Sequence, residues 1–424
     1  MAHGSLAIHG GSPVTADPFP AWPQFSPEII EAAMEPLRSG KCNYWTGPLG
    51  MQFEQAFAQW CGARFGVSTS NGTSALHVAL GGLGVGPGDE VIVPSYTFIA
   101  SSMCVCQAGA VPVFADVEPE SHTLSAESVR QKVSEKTRAI IPVHLYGEVC
   151  DMDGLRAVAQ EHSLFIVEDC AQAHGATYRG KKVGTLGNVG AFSFCQSKTF
   201  TTGGEGGCVI TDDEDVAWIC RSFRDHGYDV SARMALLELE AKLPYIHNTI
   251  GFNFRMTEMQ SAIGLKQLEV LDSWNLARRR ANGEFLLGAL SGIAQIRKLP
   301  VHNDVVQNGF WLFPIILDID ALSCDIKQFA EALTAEGIPN GPVMWPQCYQ
   351  EKCYSEHRGF GRLKYPFGDP ATRPEAVDYA NTYCPNAAWV EKRCFFVPTH
   401  PTYERSHMEL IAEGIRKVIA AFAK

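Results

Sequence analysis

The sequence predicts an α/β fold in which helices flank a mostly parallel sheet, and two observations support this prediction. From Phe65 onward, short apolar runs alternate with segments of helical periodicity, which is typical of parallel strands joined by helices. With 424 residues, 46% of them hydrophobic, the chain can bury a large core. The predicted strands are residues 65–67, 90–93, 111–114, 139–143, 164–169, 189–194 and 207–211, and the predicted helices among them are residues 74–83, 100–108 and 152–162.

Three segments are predicted along the chain. Residues 1–25 are rich in glycine and proline, and we expect them to form an extended N-terminal arm. Residues 26–290 form the large domain, which ends in a long helical stretch with a possible break at residues 272–275. Residues 291–424 form a smaller C-terminal domain.

The charge of the chain argues against binding to polyanions. The formal net charge is -11, whereas nucleic acids and anionic membranes attract basic surfaces. No apolar segment approaches the ~20 residues that a membrane-spanning helix needs. We therefore expect neither nucleic acid nor membrane among the partners.

The 14 cysteines are scattered through a long chain whose N-terminus lacks the pattern of a secretory signal. This distribution predicts reduced thiols and a cytoplasmic location. Cys104 and Cys106, like Cys348 and Cys353, lack the spacing of a zinc knuckle, and no histidine cluster accompanies them. We expect no metal site.

Lys198 is the leading candidate for a catalytic residue. It follows a short apolar run, stands among hydroxyl side chains and precedes the glycine-rich residues 203–207, which restrict where its amine can lie. A lone lysine is usually solvated surface, but one in this setting is a candidate Schiff-base amine. A lowered pKa would suit that role.

Two further candidates lie at the ends of predicted strands. Asp169 ends the strand at residues 164–169, at the edge where parallel sheets bind ligands, and is suited to pair with a protonated pyridine nitrogen. A helix N-cap is the alternative for Asp169. Phe98 follows another strand and is suited to stack on a flat cofactor, although an isolated aromatic ring is more often part of a core.

Thr73 and Ser74 open a predicted helix directly after a strand, where free N–H groups and the helix dipole favour a phosphate. Ser193, at another strand end, is suited to bind the same phosphate. Each has an ordinary alternative, because Thr73 and Ser74 are also good helix caps and Ser193 can bond to backbone. The order of these residues along the chain, together with Asp169 and Lys198, is stronger evidence for a binding site than any one of them. The glycines of residues 81–88 follow a helix and precede a strand, the reverse of the dinucleotide-binding order, so a dehydrogenase is not favoured.

Over nearly its whole length the chain resembles the DegT/DnrJ/EryC1/StrS family of sugar aminotransferases, which are pyridoxal phosphate enzymes of fold type I. The matching motifs are Asn71-Gly72-Thr73, Pro94-Ser95-Tyr96-Thr97-Phe98, Glu168-Asp169-Cys170-Ala171-Gln172-Ala173-His174-Gly175, residues 193–207, Arg224-Asp225-His226-Gly227 and Gly251-Phe252-Asn253-Phe254-Arg255-Met256. The resemblance implies a seven-stranded, mostly parallel sheet in the large domain and an α+β C-terminal domain. Cys195 departs from the pattern, because several relatives have histidine there.

The resemblance also implies the roles of individual residues. Lys198 would form the Schiff base with pyridoxal 5'-phosphate and shuttle the proton, Asp169 would pair with the pyridine nitrogen, and Phe98 would stack on the ring. Gln172 would lie near the ring hydroxyl. Asn253 would reach the phosphate from the neighbouring subunit, which implies a homodimer with shared active sites. The implied cofactor-binding set is Thr73, Ser74, Phe98, Asp169, Gln172, Ser193, Lys198 and Asn253.

The expected reaction is amino transfer from glutamate or glutamine to a ketone on a hydroxylated six-membered ring. Lys198 supports transfer, because dehydrating members of the family carry histidine instead. The N-terminal residues 6–14 and 19–24 are similar to the branch of scyllo-inosose aminotransferases and aminohydroxybenzoate synthases, which favours a free cyclitol or related carbocycle.

Two alternatives stay open. A nucleotide-linked keto sugar carries a diphosphate, which needs cations at the mouth of the site, and Arg224, Arg233 and Arg255 are the candidates. His226 is a candidate for contact with substrate hydroxyls. The second alternative is a regulator that binds the cofactor without turnover.

Overall fold

A computed structural model describes residues 5–230, 247–342 and 347–424 of the chain. Its centre is a seven-stranded sheet in the order β1-β9-β8-β5-β4-β2-β3, in which only β9 runs antiparallel to the others. The predicted mostly parallel sheet of seven strands is confirmed. In chain order the first nine strands are β1 (Phe65–Thr69), β2 (Glu90–Pro94), β3 (Val111–Ala115), β4 (Thr137–Ile140), β5 (Phe165–Asp169), the short β6 (Thr177–Tyr178) and β7 (Lys181–Lys182), β8 (Val189–Ser193) and β9 (Gly207–Thr211).

Helices cover this sheet, and the strands between them are buried almost throughout. Burial on both faces explains why the strands are apolar runs rather than alternating patterns. In chain order the described helices are α1 (Pro27–Ser39), α2 (Leu49–Cys61), α3 (Gly72–Gly82), α4 (Ala100–Gln107), α5 (Ala126–Lys132), α6 (Met152–His162), α7 (Glu214–Arg224), α8 (Glu258–Val270), α9 (Ala277–Leu290), α10 (Ile326–Ala335), α11 (Lys352–Ser355), α12 (Pro385–Glu391) and α13 (Arg405–Phe422). No helix in the described ranges is long and apolar enough to span a bilayer.

A π-helical turn, Leu271–Leu276, separates α8 from α9. It falls on the break that the sequence suggested within the long helical stretch. Such turns occur frequently at functional sites because the extra residue re-aims the side chains that follow. Here the turn carries the buried side chain of Asn275 towards the segment after β8.

The C-terminal part of the chain contains a second, antiparallel sheet of four strands in the order β10-β12-β14-β13. Its apolar core includes Phe313, Phe395 and Ile415, and Leu286 from the end of α9 joins it. The domain boundary at residue 290 stays a prediction. The strands of this region are β10 (Ile296–Lys298), β11 (Val306–Gln307), β12 (Leu312–Leu317), β13 (Gly341–Pro342) and β14 (Cys394–Pro398), and β11 pairs with β6 outside this sheet.

The N-terminal arm lies against the C-terminal core of its own chain. Leu6 is buried in that core and Phe19 packs on its edge. Glu336 holds the arm by accepting bonds from the backbone N–H of Ala7 and of Val14. Further along the arm, the indole of Trp22 reaches the backbone of Lys198. The arm therefore connects the C-terminal core to the segment after β8.

A buried ion pair ties α2 to α7 beside β1. Arg224 is fully buried and lies 2.5 Å from Glu54, while its guanidinium also donates to the carbonyl of Ser68 at 3.0 Å and covers the ring of Tyr44. Glu54 accepts further bonds from the backbone and hydroxyl of Ser68. The sequence analysis named Arg224 as a candidate substrate contact at the mouth of a site. The structure shows instead that Arg224 is a structural residue.

We expect Arg224→Met to lower the free energy of unfolding by about 3 kcal/mol, because it leaves the buried carboxylate of Glu54 without its main partner. Urea denaturation followed by circular dichroism measures the effect. The control is Arg64→Met, which removes an exposed pair with Glu214 at 3.8 Å and should cost less than about 1 kcal/mol. Equal losses in the two variants would contradict the structural role of Arg224.

Candidate active site

A cavity of about 660 Å³ opens where β1, β2, β5 and β8 end. The carboxyl ends of parallel strands meet at one edge of the sheet, so residues far apart in the chain converge there. Seven of the predicted site residues line this cavity: Thr73, Ser74, Phe98, Asp169, Gln172, Ser193 and Lys198.

The Lys198 side chain is half-buried in this cavity. Burial lowers the pKa of its amine to about 8, against the opposing effect of the Asp169 carboxylate. The amine lies 4.0 Å from the centroid of the Trp311 ring. Lys198 therefore has an uncharged fraction near neutral pH, which an ordinary exposed lysine lacks.

Asp169 is buried at the end of β5, and each of its carboxylate oxygens accepts one bond. Ser101 donates to Oδ2 at 2.8 Å and the backbone N–H of Ala171 donates to Oδ1 at 3.1 Å. Burial raises the pKa of Asp169, and these two bonds act in the opposite direction. Because both oxygens keep unused lone pairs, the carboxylate can accept a further N–H donor in the cavity.

The N-terminus of α3 and the end of β8 approach each other closely at one end of the cavity. Asn71 caps α3 by accepting from the backbone N–H of Ser74 at 2.8 Å. A Cβ atom on Gly72 would lie 2.5 Å from the Cβ atom of Ser193, so only glycine allows this approach. Hydroxyls from two elements and the positive end of a helix therefore face one small volume, which favours an anion.

Gln172 and Phe98 lie on other walls of the same cavity. The Oε1 atom of Gln172 accepts from the backbone N–H of Tyr146 at 2.8 Å, which directs the amide nitrogen to the remaining side as a donor. Phe98 is 47% exposed, so its ring offers a face to the cavity rather than filling the core.

Three predicted residues lie outside this cavity in their own chain. Asn253 lines a separate recess of about 340 Å³, which it shares with Arg255. Arg255 pairs with Asp225, and Nδ1 of the exposed His226 lies 3.1 Å from the same carboxylate. Arg233, a further candidate from the sequence, lies outside the described residues.

Sequence reasoning missed Trp311, Ser101 and Tyr146. Trp311 covers the Lys198 amine and Ser101 donates to Asp169, but each of them is far in sequence from the residue that it contacts. Tyr146 has a φ of 60°, a left-handed conformation that is uncommon for a residue other than glycine. No local pattern marks any of the three as part of a site.

One group of metal-type side chains comes together within the described ranges, formed by His144, Glu168 and Cys170. The side-chain atoms that could bind a metal here already form hydrogen bonds within the protein. Glu168 accepts from three backbone N–H groups and lies 3.0 Å from His144 Nε2, while His144 Nδ1 accepts from the backbone of Cys150. These bonds explain the group as a structural network behind β5.

The chain matches the model of the DegT/DnrJ/EryC1/StrS aminotransferase family over residues 23–416. The chain belongs to this family. It is therefore an aminotransferase, and the predicted family membership is confirmed. The solved structure of the aminotransferase from Psychrobacter cryohalolentis is similar, with a TM-score of 0.85 and 34% identity, and the alignment covers 96% of this chain and 100% of that one.

Two curated relatives of this aminotransferase represent different substrate classes. The L-glutamine:2-deoxy-scyllo-inosose aminotransferase of Streptomyces fradiae is 37% identical over an alignment of 436 positions, which covers 99% of this chain and 97% of the relative. The GDP-perosamine synthase of Caulobacter vibrioides is 42% identical over 308 residues, covering 71% and 78%. The comparisons therefore show the family and leave both classes of acceptor open.

The pKa of Lys198 predicts how its reactivity depends on pH. Because the amine loses its proton near pH 8, acetylation of Lys198 should reach half of its plateau rate near pH 8, while an ordinary lysine continues to gain reactivity up to about pH 10. Competitive labelling with acetic anhydride, followed by mass spectrometry of the peptides, measures this in the protein freed of cofactor. Exposed lysines in the same digest are internal standards, and a midpoint near pH 10 for Lys198 would contradict the effect of burial.

Proposed function

We propose that this aminotransferase uses pyridoxal 5'-phosphate to move an amino group from glutamine or glutamate to a ketone carbon of a free hydroxylated six-membered carbocycle, such as scyllo-inosose. The observation that carries the proposal is the set of side chains gathered in the 660 Å³ cavity. Amine, carboxylate, aromatic ring and phosphate-type cradle lie together there in one volume.

The residues present fit this cofactor. Thr73, Ser74 and Ser193 would hold the phosphate where α3 begins, because hydroxyls and the helix dipole act together there. Asp169 has free lone pairs for a protonated pyridine nitrogen, and Phe98 would cover one face of the ring. The Gln172 amide would donate to the ring hydroxyl, since its oxygen is already engaged.

Bound pyridoxal phosphate supplies an electron sink that makes the hydrogen beside the substrate nitrogen acidic. Lys198 would take up this proton at its amine and return it at a neighbouring carbon, which requires an amine that is uncharged part of the time. The pKa of about 8 meets this requirement near neutral pH. Asp169 would keep the ring nitrogen protonated throughout, because its carboxylate is buried beside it.

The charges around the cavity support a free carbocycle over a nucleotide-linked sugar. Among the described lining residues the only cationic side chain is that of Lys198, and the nearby ionisable residue Glu205 is acidic. A diphosphate would lack a cationic partner among these residues, and Arg255, which is proposed below to serve the partner's cavity, already pairs with Asp225. The relative from Streptomyces fradiae, whose printed name includes a deoxy-scyllo-inosose acceptor and an L-glutamine donor, aligns with 99% of this chain.

The proposed function predicts which acceptors the enzyme converts. The holoenzyme should transfer the amino group of glutamine or glutamate to scyllo-inosose or its 2-deoxy form, with little product from GDP-linked or dTDP-linked keto sugars. Mass detection of the amine product measures both arms. Preference for the nucleotide-linked acceptor would favour the alternative exemplified by the Caulobacter relative.

Lys198→Ala is the control for chemistry in the same assay. It should abolish product with every acceptor and prevent borohydride from attaching the cofactor to the Lys198 peptide, because the only proposed attachment point is lost. Binding of the cofactor without any half-reaction in the unaltered protein would instead support a regulator.

We further propose that the enzyme is a homodimer in which Asn253, and with it His226 and Arg255, serves the partner's cavity. These three residues lie outside the cavity of their own chain; Asn253 and His226 are exposed, and Arg255 is partly exposed. Phe254, the neighbour of Asn253, does line the cavity of its own chain. The segment therefore lies where it can contribute to two sites.

Mixing two inactive variants tests the shared sites. Lys198→Ala and Asn253→Ala should each be inactive alone, whereas co-refolded mixtures should recover about a quarter of the unaltered activity, because half of the dimers then contain one intact site. Activity measured per protomer at a fixed total concentration gives the result. A mixture that stays inactive, with dimers present by sedimentation, would place Asn253 and Lys198 in the same subunit's site.

A further inference from the structure

The segment between β8 and β9, residues 194–206, carries Lys198, and we call it the lysine loop. Three consecutive peptide carbonyls of this loop each accept a bond from the side-chain N–H of a residue outside it. The three bonds run from Trp311 Nε1 to Ser197 at 2.6 Å, from Trp22 Nε1 to Lys198 at 2.9 Å, and from Asn275 Nδ2 to Thr199 at 2.6 Å.

The three donors come from separate parts of the chain, yet Arg279 contacts all of them. Arg279 Nε donates to the side-chain oxygen of Asn275 at 2.9 Å, and its Nη1 donates to the carbonyl of Trp311 at 3.1 Å. The carbon at the centre of the guanidinium lies 5.2 Å from the centroid of the Trp22 ring. The arm, the π-helical turn and the start of β12 therefore meet at one side chain.

Arg279 is fully buried and forms no ion pair with a carboxylate of the described residues. Its Nη2 atom has no hydrogen-bond partner among them. A buried charge of this kind is costly, and an apolar side chain of similar length would usually be better tolerated. A planar guanidinium, however, can direct several neighbours at once, which an apolar side chain cannot do.

We propose that Arg279 is a positioning residue for amino transfer: it holds Trp22, Asn275 and Trp311 in place, and these three fix the backbone on both sides of Lys198. The inference rests on the proposed role of the Lys198 amine. That amine must reach two carbons of the bound substrate in turn, and small displacements of a reacting group are expensive in rate. The N-terminal arm thereby becomes part of the active site although it does not line the cavity.

Trp22→Phe tests this in the holoenzyme, because it keeps an aromatic ring on the arm but removes the N–H donor, and Trp274→Phe below controls for the smaller ring. We expect kcat to fall about tenfold with KM of both substrates unchanged, since the donor and acceptor contacts stay intact. The deuterium isotope effect with an α-deuterated donor should rise, because proton transfer by a displaced Lys198 becomes slower than the other steps. The rate at which cofactor-free protein regains the visible absorbance of bound pyridoxal phosphate should fall as well.

Arg279→Met and the double variant Arg279→Met with Trp22→Phe test the connection between the two residues. If Arg279 acts through Trp22, the double variant should lose no more than Arg279→Met alone, whereas independent effects would multiply. Trp274→Phe is the matched control: its ring also contacts Trp22, but no bond to the lysine loop involves it. It should leave kcat, the isotope effect and the rate at which the cofactor absorbance returns unchanged.

The inference is overturned if Trp22→Phe matches the unaltered enzyme in isotope effect and absorbance rate, or if its loss lies in KM alone. If Arg279→Met fails to fold, Arg279→Lys, which keeps the charge but lacks the planar fork of donors, replaces it in this comparison, and Trp22→Phe still tests the bond from the arm. Failure of the proposed function is read separately, because it would leave the unaltered holoenzyme without transfer from either donor, whereas failure of the inference concerns only the ratio of variant to unaltered enzyme.

Discussion

The chemistry of the site depends most on the partial burial of one side chain, that of Lys198. Lys198 lines the cavity beside the Trp311 ring, deep enough for burial to lower its pKa to about 8 despite the Asp169 carboxylate, and open enough to reach a ligand. A fully exposed amine would stay charged, and a fully enclosed one would have no access to substrate. The sheet provides the cavity, the Trp311 ring covers the amine, and Trp22 from the arm holds the backbone of Lys198.

The parallel sheet provides that position because it gathers strand ends. Asp169 and Ser193 end neighbouring strands, and the N-terminus of α3 packs against Ser193 only because Gly72 lacks a side chain. The same close approach that packs helix on sheet also forms the end of the cavity that favours an anion. Packing and binding therefore impose the same requirement at Gly72, and a substitution there would damage both.

Buried arginines have two different tasks in this enzyme. Arg224 has a carboxylate partner in Glu54 and ties α2 to α7. Arg279 has no such partner among the described residues and is surrounded by the donors that hold the lysine loop. Arg224 therefore stabilises the fold, whereas the contacts of Arg279 connect it to the active site. It also explains how the N-terminal arm, which packs on the C-terminal core, influences a site at the edge of the central sheet.

The sequence by itself determined the sheet class, the family and the seven residues that line the cavity, because strand periodicity and short motifs at strand ends are local patterns. Even the π-helical turn was visible as a break in a long helical stretch. Only the tertiary structure decided that Arg224 is structural, that Trp311 covers the amine, and that Trp22, Asn275 and Arg279 surround the lysine loop. Those contacts join residues that are far apart in the chain. The residue types involved also occur in ordinary cores and surfaces, so no local pattern could distinguish them.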